Sequence, residues 1–348
     1  MAHESARSTP ATRCRSEGLA AAHRPTVTAP RVLDRVSHHW STWVPAEACS
    51  KAHDVQEFYL RCGVTLAALH VLAGTDVHCE NLIASGPHPV VVDLELLLNP
   101  GPDSTADALS RTGMLPDWRT APSGHRFDMS ALGADSEQHP DIANPSWRDV
   151  NTDQMRRVTA VADGPELDCR VRFADSWPTA LEHLNDVRRG FAIGYRGFLD
   201  GREELLADPD IRSALTGLEL RVLLRDSVTY ARLLAYLLQP DFLRDGVDRS
   251  IEIEWLARPP SVRLQFPAPR LSVYAIEREA LEAQDVPHIT TSVWRAIGAD
   301  EDEDLEPAGA GRSAETVYRR LASLSEEDLR ARLALVENAI RGRFASTP

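Results

Sequence analysis

The sequence predicts an α+β fold, predominantly helical with short β-hairpins. Val55, Phe58, Tyr59, Cys62, Leu66 and Leu69 recur at the spacing of an amphipathic helix. Leu181, Leu184, Val187, Phe191, Tyr195, Phe198 and Leu199 repeat that spacing much later in the chain and read as core. Between them, apolar Leu82-Ile-Ala84 and β-branched Val90-Val-Val92 flank Ser85-Gly-Pro-His-Pro89, a cluster of turn residues. That arrangement is a hairpin.

The elements follow in order. Residues 1–30 mix Ala, Arg, Ser, Thr and Pro without periodicity and read as a poorly ordered N-terminus. Glu4 and Glu17 argue against a transit peptide. Asp54 is placed to cap the first helix, with Glu57 three residues later, and Gly74 ends it. After the hairpin, residues 96–180 form a Pro-rich excursion whose length favours a functional loop over a linker. His125 and His139 within it read as surface histidines. The segment Leu218–Arg225 alternates as a strand, with Leu218, Leu220, Val222 and Leu224 on one face and Arg221 and Arg225 on the other. Asp226 and Ser227 open a helix with apolar positions at Val228, Ala231, Leu234 and Leu238. Asp300–Asp304 begins an acidic connector; its Gly-x-Gly has no strand leading into it and is no phosphate loop. A last helix, capped at Ser325 with Asp328 three on, buries Leu329, Leu333, Val336 and Ile340. No internal repeat is visible.

Composition narrows the function. A charge of −14 repels a polyanion, and a 6% aromatic content offers few stacking platforms, so nucleic acid is excluded as a partner. Cys14, Cys49, Cys62, Cys79 and Cys169 are scattered, odd in number and never spaced C-x-x-C. That points to a reducing compartment and away from a structural zinc. No apolar run approaches the about 20 residues of a membrane span, and the N-terminal residues lack the apolar stretch expected of a signal peptide. The expectation is a cytoplasmic protein. A metal-dependent hydrolase is disfavoured, since no His/carboxylate cluster falls on one element.

The chemistry concentrates in Gly74-Thr-Asp76-Val-His78-Cys-Glu80-Asn81, closing at Asp93-Leu-Glu95. Kinase-type phosphoryl transfer uses such a layout: a loop Asp beside the acceptor hydroxyl, an Asn five later, and a further Asp after a short hairpin. Folding the hairpin brings Asn81 and Asp93 together, so that hard oxygen ligands share one Mg²⁺. Arg221 and Arg225, beside the N–H groups of a helix opening at Ser227, form a second anion-seeking group.

The run Gly-Thr-Asp-Val-His-Cys-Glu-Asn-Leu-Ile, followed by His-Pro-Val-Val-Val-Asp-Leu-Glu, resembles the dehydratase domain of class II lanthipeptide synthetases, the LanM type. Further family-like words appear in order: residues 31–50, Thr112-Gly-Met-Leu-Pro116, Asp128-Met-Ser-Ala-Leu-Gly133 and Asn151–Met155. Arg221-x-x-x-Arg225-x-Ser227 is similar to the family pattern Arg-x-x-x-Arg-x-Thr. The resemblance implies a lipid-kinase-like core, mostly its C-lobe, with residues 31–345 a partial dehydratase domain. It implies Mg-ATP as cofactor, phosphorylation of Ser and Thr in a precursor peptide, and elimination of the phosphate to dehydroamino acids. By the same resemblance Asn81 and Asp93 bind Mg²⁺ and nucleotide and Asp76 meets the substrate hydroxyl. His78 and Glu95 support them, and Arg221 and Ser227 assist elimination.

Departures from the family set further expectations. A kinase-type upper lobe carries a glycine-bearing strand pair and a Lys on the phosphates. Ahead of residue 55 stand only Gly18 and Lys51, neither in a strand pattern, and Lys51 is the sole lysine. Nothing resembles the family's zinc-dependent cyclase, so no zinc is expected. The chain reads as the C-terminal portion of a dehydratase domain that does not dehydrate a peptide alone. A separate N-terminal fragment and a separate cyclase are then expected partners. The alternative is an inactive remnant, or a non-catalytic module that binds the leader peptide or a partner enzyme.

Overall fold

The computed structural model describes residues 27–35, 39–94, 97–98, 108–120, 126–134, 144–149, 152–160, 167–216, 221–222, 227–257, 271–290 and 313–345. Among them helices dominate, and each sheet is an antiparallel pair, in keeping with a mixed helix/strand fold. The chain divides into two units. The first comprises Met1–Leu97, Ser104–Asp208 and Val317–Pro348, the second Leu98–Asp103 and Pro209–Thr316.

In the first unit, hairpin β1 (Val32–Asp34) and β2 (His39–Ser41) precedes helix α1 (Ala52–Val71). Asp54 lies inside the first turn of α1, not at its cap. Its carboxylate reaches back to accept the amides of Ser50 and Lys51 at 3.2 and 2.9 Å and the Ser50 hydroxyl at 2.9 Å. The helix starts earlier than the cap pattern implied because this carboxylate satisfies two amides at once. The Ser50 hydroxyl, above all, holds the Asp54 pKa below the usual carboxylate value.

Next come β3 (Leu82–Ser85) and β4 (His88–Val91), joined by a two-residue turn with Gly86 at φ 55. Short pairs follow: β5 (Trp118–Thr120) with β6 (Arg126–Asp128), and β7 (Asn144–Arg148) with β8 (Arg156–Ala160). Helix α2 (Leu184–Asp200) then lies on α1, and α3 (Arg202–Ala207) continues it. Phe58, Cys62 and Leu66 of α1 meet Val187, Phe191 and Tyr195 of α2 in a core from which water is excluded. The facing glycines, Gly63 and Gly190, let the two backbones touch: a Cβ on Gly190 would lie 1.8 Å from the Leu60 carbonyl oxygen.

The last helices of the chain are α9 (Ser313–Ser323) and α10 (Glu326–Ala345). Ser325 caps α10 as expected, its hydroxyl accepting the Asp328 amide at 3.1 Å. Tyr195 donates its hydroxyl to Asp328 at 2.6 Å, and Arg196 forks onto Glu326 at 2.8 and 3.0 Å. Leu329, Val336 and Ile340 are fully buried, while Leu333 is half-buried.

His70, near the end of α1, is enclosed by these helices. Phe191 packs on its ring, Arg320 of α9 donates to its carbonyl, and Nδ1 has no hydrogen-bond partner among the described residues. Burial first, then Arg332 and Arg320, push its pKa down to about 3, with Asp328 opposing. The folded chain therefore keeps His70 neutral while the unfolded chain takes up a proton below about pH 6.5. Stability contributed by the neutral ring is full above that value and drains as pH falls toward 3. The loss reaches about 3 kcal/mol by pH 4. His70→Leu is expected to flatten this stretch of the Tm-versus-pH profile in calorimetry; an unchanged slope would remove His70 as its source.

The second unit holds α4 (Pro209–Thr216), β9 (Arg221–Val222), α5 (Ser227–Leu237), α6 (Pro240–Arg244), α7 (Gly246–Ile253), α8 (Leu271–Glu282) and β10 (Ile289–Thr290). Its core is Tyr230, Leu237, Ile253, Leu256 and Leu281. Only Arg221–Val222 of the expected strand lies within the described residues, paired with β10. The inward face of α5 also differs from expectation. Tyr230 and Leu237 are buried with Leu233 and Leu234 partly so, whereas Ala231 is exposed and Leu238 is 54% exposed. The reason is polar: Tyr230 turns inward to donate to the buried carboxylate of Glu277 on α8 at 2.6 Å.

Candidate active site

The end of α1 delivers the site. Gly74 donates to the Leu69 carbonyl at 2.8 Å, and the backbone then turns through two left-handed residues, Ala73 at φ 53 and Asp76 at φ 66. The left-handed region admits Asp more readily than most non-glycine residues. Beyond Asp76 the side chains alternate. Val77 and Cys79 point into the core; Asp76 and Glu80 are exposed and His78 is half-buried.

Asn81 ties the loop to the hairpin. Its side-chain amide donates to the Asp76 carbonyl at 2.8 Å, its amide to the His78 carbonyl at 3.1 Å, and its carbonyl accepts from Val92 at 3.0 Å. The last bond extends the β3–β4 register, in which Leu82 faces Val91, by one pair. Asn81 thus faces Val92, next to exposed Asp93. The structure brings Asp76, His78, Asn81 and Asp93 to one end of the hairpin; Glu95 lies outside the described residues.

His78 sits between carboxylates, with Nε2 at 3.8 Å from Asp76 and Nδ1 at 3.8 Å from Glu80. A hydrogen bond with the Cys79 side chain raises its pKa most. Burial opposes this, and the charges of Asp76 and Glu80 add to the rise. Beneath the loop, the buried free thiol of Cys79 is hydrogen-bonded to that of Cys169, whose pKa is pushed up by this hydrogen bond and by burial.

Two segments wall the loop, and the sequence pattern assigned neither a role. Thr112 accepts the Val77 amide and Met129 the Cys79 amide, each at 2.8 Å, while Ser130 bridges to His78. Gly113, at φ 77, is needed where a Cβ would lie 2.9 Å from the Val77 nitrogen. The available signal was the pair of words Thr112–Pro116 and Asp128–Gly133, which differ from their irregular surroundings.

Arg221 and Ser227 belong to the second unit. Arg221 is half-buried on β9, opposite Thr290, and Ser227 is the first residue of α5; Arg225 falls outside the described residues.

A family model described as Domain of unknown function (DUF4135) matches residues 15–292. The chain belongs to this family. DUF4135 is the domain found in LanM-type lanthipeptide synthetases, so the resemblance read from residues 74–95 holds at the level of family. A relative of the chain is the "Lacticin 481/lactococcin biosynthesis protein LcnDR2" of Lactococcus lactis subsp. lactis, 23% identical over 223 residues. The match covers 58% of this chain and 23% of that relative's length, so the chain spans only part of the relative.

The residues present suit a magnesium ion. The Asn81 side-chain nitrogen is committed to the Asp76 carbonyl, which leaves its side-chain oxygen to serve as a ligand, and Asp93 follows the residue that pairs with Asn81. Among the described residues no group of three or more His, Cys, Asp or Glu could hold a metal. Mg²⁺ requires no such group, since it is held by one or two carboxylates together with nucleotide phosphates. None of the described helices is long and apolar enough to cross a membrane.

Proposed function

We propose that the chain acts in lanthipeptide biosynthesis, with a lipid-kinase-like core that transfers phosphate from Mg-ATP to Ser and Thr of a precursor peptide and then eliminates it. The observation that supports the reading is the hairpin register, which sets Asn81 opposite Val92, the neighbour of Asp93, while the Asn81 side chain clasps the Asp76 backbone. The family supports the substrate class, since a relative of the chain is a lantibiotic biosynthesis protein.

Asn81 and Asp93 would hold the magnesium ion and nucleotide, and the ion would supply charge neutralisation at the phosphates. Asp76 accepts the proton of the peptide hydroxyl as its oxygen attacks the γ-phosphorus and ADP leaves. His78, with Glu95, orients and balances that carboxylate. In the second reaction the peptide loses a proton from Cα and the Cβ–O bond breaks, releasing phosphate. Arg221 and the N-terminus of α5 at Ser227 meet the charge on the departing phosphate. A separate N-terminal dehydratase fragment and a separate cyclase are proposed as further partners.

The test is incubation with Mg-ATP and a precursor peptide, with and without a separate N-terminal fragment, followed by mass spectrometry. Added phosphate followed by loss of water is expected from the competent assembly. If no assembly binds nucleotide yet the chain binds the peptide, the alternative of a non-catalytic module replaces this reading.

Arg221→Ala is expected to leave phosphorylation intact and slow elimination by on the order of 10²–10³, so that phosphopeptide accumulates. Loss of both reactions together would assign Arg221 to folding or binding.

A further inference from the structure

We infer that Asp128 is the positioning residue of the catalytic loop, holding in place the wall against which Asp76 and His78 are set. Its part in phosphate transfer rests on the function proposed above; its part in ordering the loop does not. Asp128 ends β6 and is 3% exposed, an unusual place for a carboxylate. One oxygen, Oδ1, accepts the Ser130 amide at 2.8 Å and the Asp117 amide at 3.3 Å. Those two amides belong to the two walls of the loop, so a single carboxylate oxygen joins segment 112–117 to segment 128–134.

The rest of the junction follows from that bond. The Ser130 hydroxyl accepts the Gly133 amide at 3.0 Å, and the Ala134 amide returns to the Ser130 carbonyl at 2.9 Å. The amides of Ala131 and Leu132 donate to the Gly113 and Met114 carbonyls, each at 3.1 Å. The segment is thereby rigid where it meets the loop: Met129 receives the Cys79 amide and Ser130 bridges to His78. Gly133 belongs to the same device, since a Cβ there would lie 2.1 Å from Asp128 Oδ2. A buried carboxylate is costly unless hydrogen-bonded, so the two amides at Oδ1 offset part of that cost and tie the two segments together. Asp128 touches no reacting atom in this scheme and acts through the backbone of Met129 and Ser130.

Hydrogen exchange on the full chain reads the coupling without any appeal to activity. Asp128→Ala is expected to speed exchange of the Cys79 amide about tenfold, the worth of roughly one hydrogen bond, while β3–β4 amides keep their protection. Asp128→Asn retains the accepting oxygen and is expected to keep the Cys79 amide protected. Gly133→Ala retains the carboxylate but displaces it, and is expected to match Asp128→Ala. Unchanged Cys79 exchange in Gly133→Ala and Asp128→Ala overturns the inference. So does Asp128→Asn exchanging as fast as Asp128→Ala, because charge rather than the bonds would then be responsible.

Kinetics with Mg-ATP and precursor peptide then test the consequence. Asp128→Ala is expected to lower kcat on the order of 10²-fold through misplaced groups, with KM for ATP unchanged and Asp128→Asn restoring the rate. A fall in kcat that tracks only the lost folded fraction reduces Asp128 to a fold-stabilising group and overturns the inference. Altered exchange in a chain whose parent phosphorylates nothing leaves the positioning role standing and removes the functional reading instead.

Discussion

Asp76→Asn is expected to lower the proposed phosphate transfer by about 10²–10⁴ while Mg-nucleotide affinity stays near that of the parent, and Asp93→Asn is expected to weaken Mg-nucleotide binding sharply. The opposite signatures follow from where the two groups sit. Asp76 precedes the hairpin and contributes its carbonyl, not its carboxylate, to Asn81, and its side chain is exposed. Asp93 follows the hairpin, beside the residue that pairs with Asn81. Asparagine is the informative replacement at both positions. At Asp76 the backbone is left-handed at φ 66, a conformation Asn accepts and Ala resists, so the loss is chemical rather than conformational. At Asp93 the neutral amide keeps an oxygen but removes the charge that a divalent cation requires. Calorimetry with a non-hydrolysable nucleotide and magnesium, beside peptide phosphorylation kinetics, separates the two. Equal binding losses in both variants would mean that one ligand set serves both residues, and unchanged binding in Asp93→Asn would take it off the metal.

The half of the site closest in sequence was the legible half. Asp76, His78, Asn81 and Asp93 are brought together by a turn, a hairpin and their own short-range bonds, and each of these has a local signature. The face of α1 was legible for the same reason, since apolar periodicity reports burial against any partner. The face of α5 was not. A tyrosine with a buried carboxylate partner turned the helix inward at Tyr230, and nothing local in the sequence marks Glu277 as that partner. The walls of the catalytic loop were unreadable on similar grounds. Thr112 and Met129 serve through backbone carbonyls, which any residue possesses, and Asp128 accepts a bond whose donor, the Asp117 amide, lies eleven residues away. Arg221 and Ser227 belong to a different unit from the Asp76 group, and local spacing reports only neighbours within a unit.

Gly190→Ala is expected to destabilise the chain by about 3 kcal/mol or more, lowering Tm by roughly 10 °C. A Cβ there meets the Leu60 carbonyl oxygen at 1.8 Å, and one on Gly63 meets the Val187 carbonyl oxygen at 2.1 Å. Both obstacles are backbone, which cannot rotate away, so α1 and α2 must separate along their whole contact. Phe58, Cys62, Leu66, Val187, Phe191 and Tyr195 then lose close packing at once, which is why a single methyl carries so large an effect. The same separation moves the end of α1, where Gly74 to Asn81 begins, so activity should fall with stability. Two further glycines of α2 set the scale. Gly194 has Ala67 Cβ at 3.0 Å and backbone atoms of Val64 at 3.2 Å, so Gly194→Ala is expected to cost less. Gly197 has nothing within 4 Å, so Gly197→Ala adds helix propensity alone and is expected to stabilise by about 0.5–1 kcal/mol. The sign therefore reverses along one helix face within two turns, and thermal denaturation of the three alanine variants measures it. A destabilised Gly197→Ala, or a Gly190→Ala as stable as the parent, would contradict the close approach of α1 and α2.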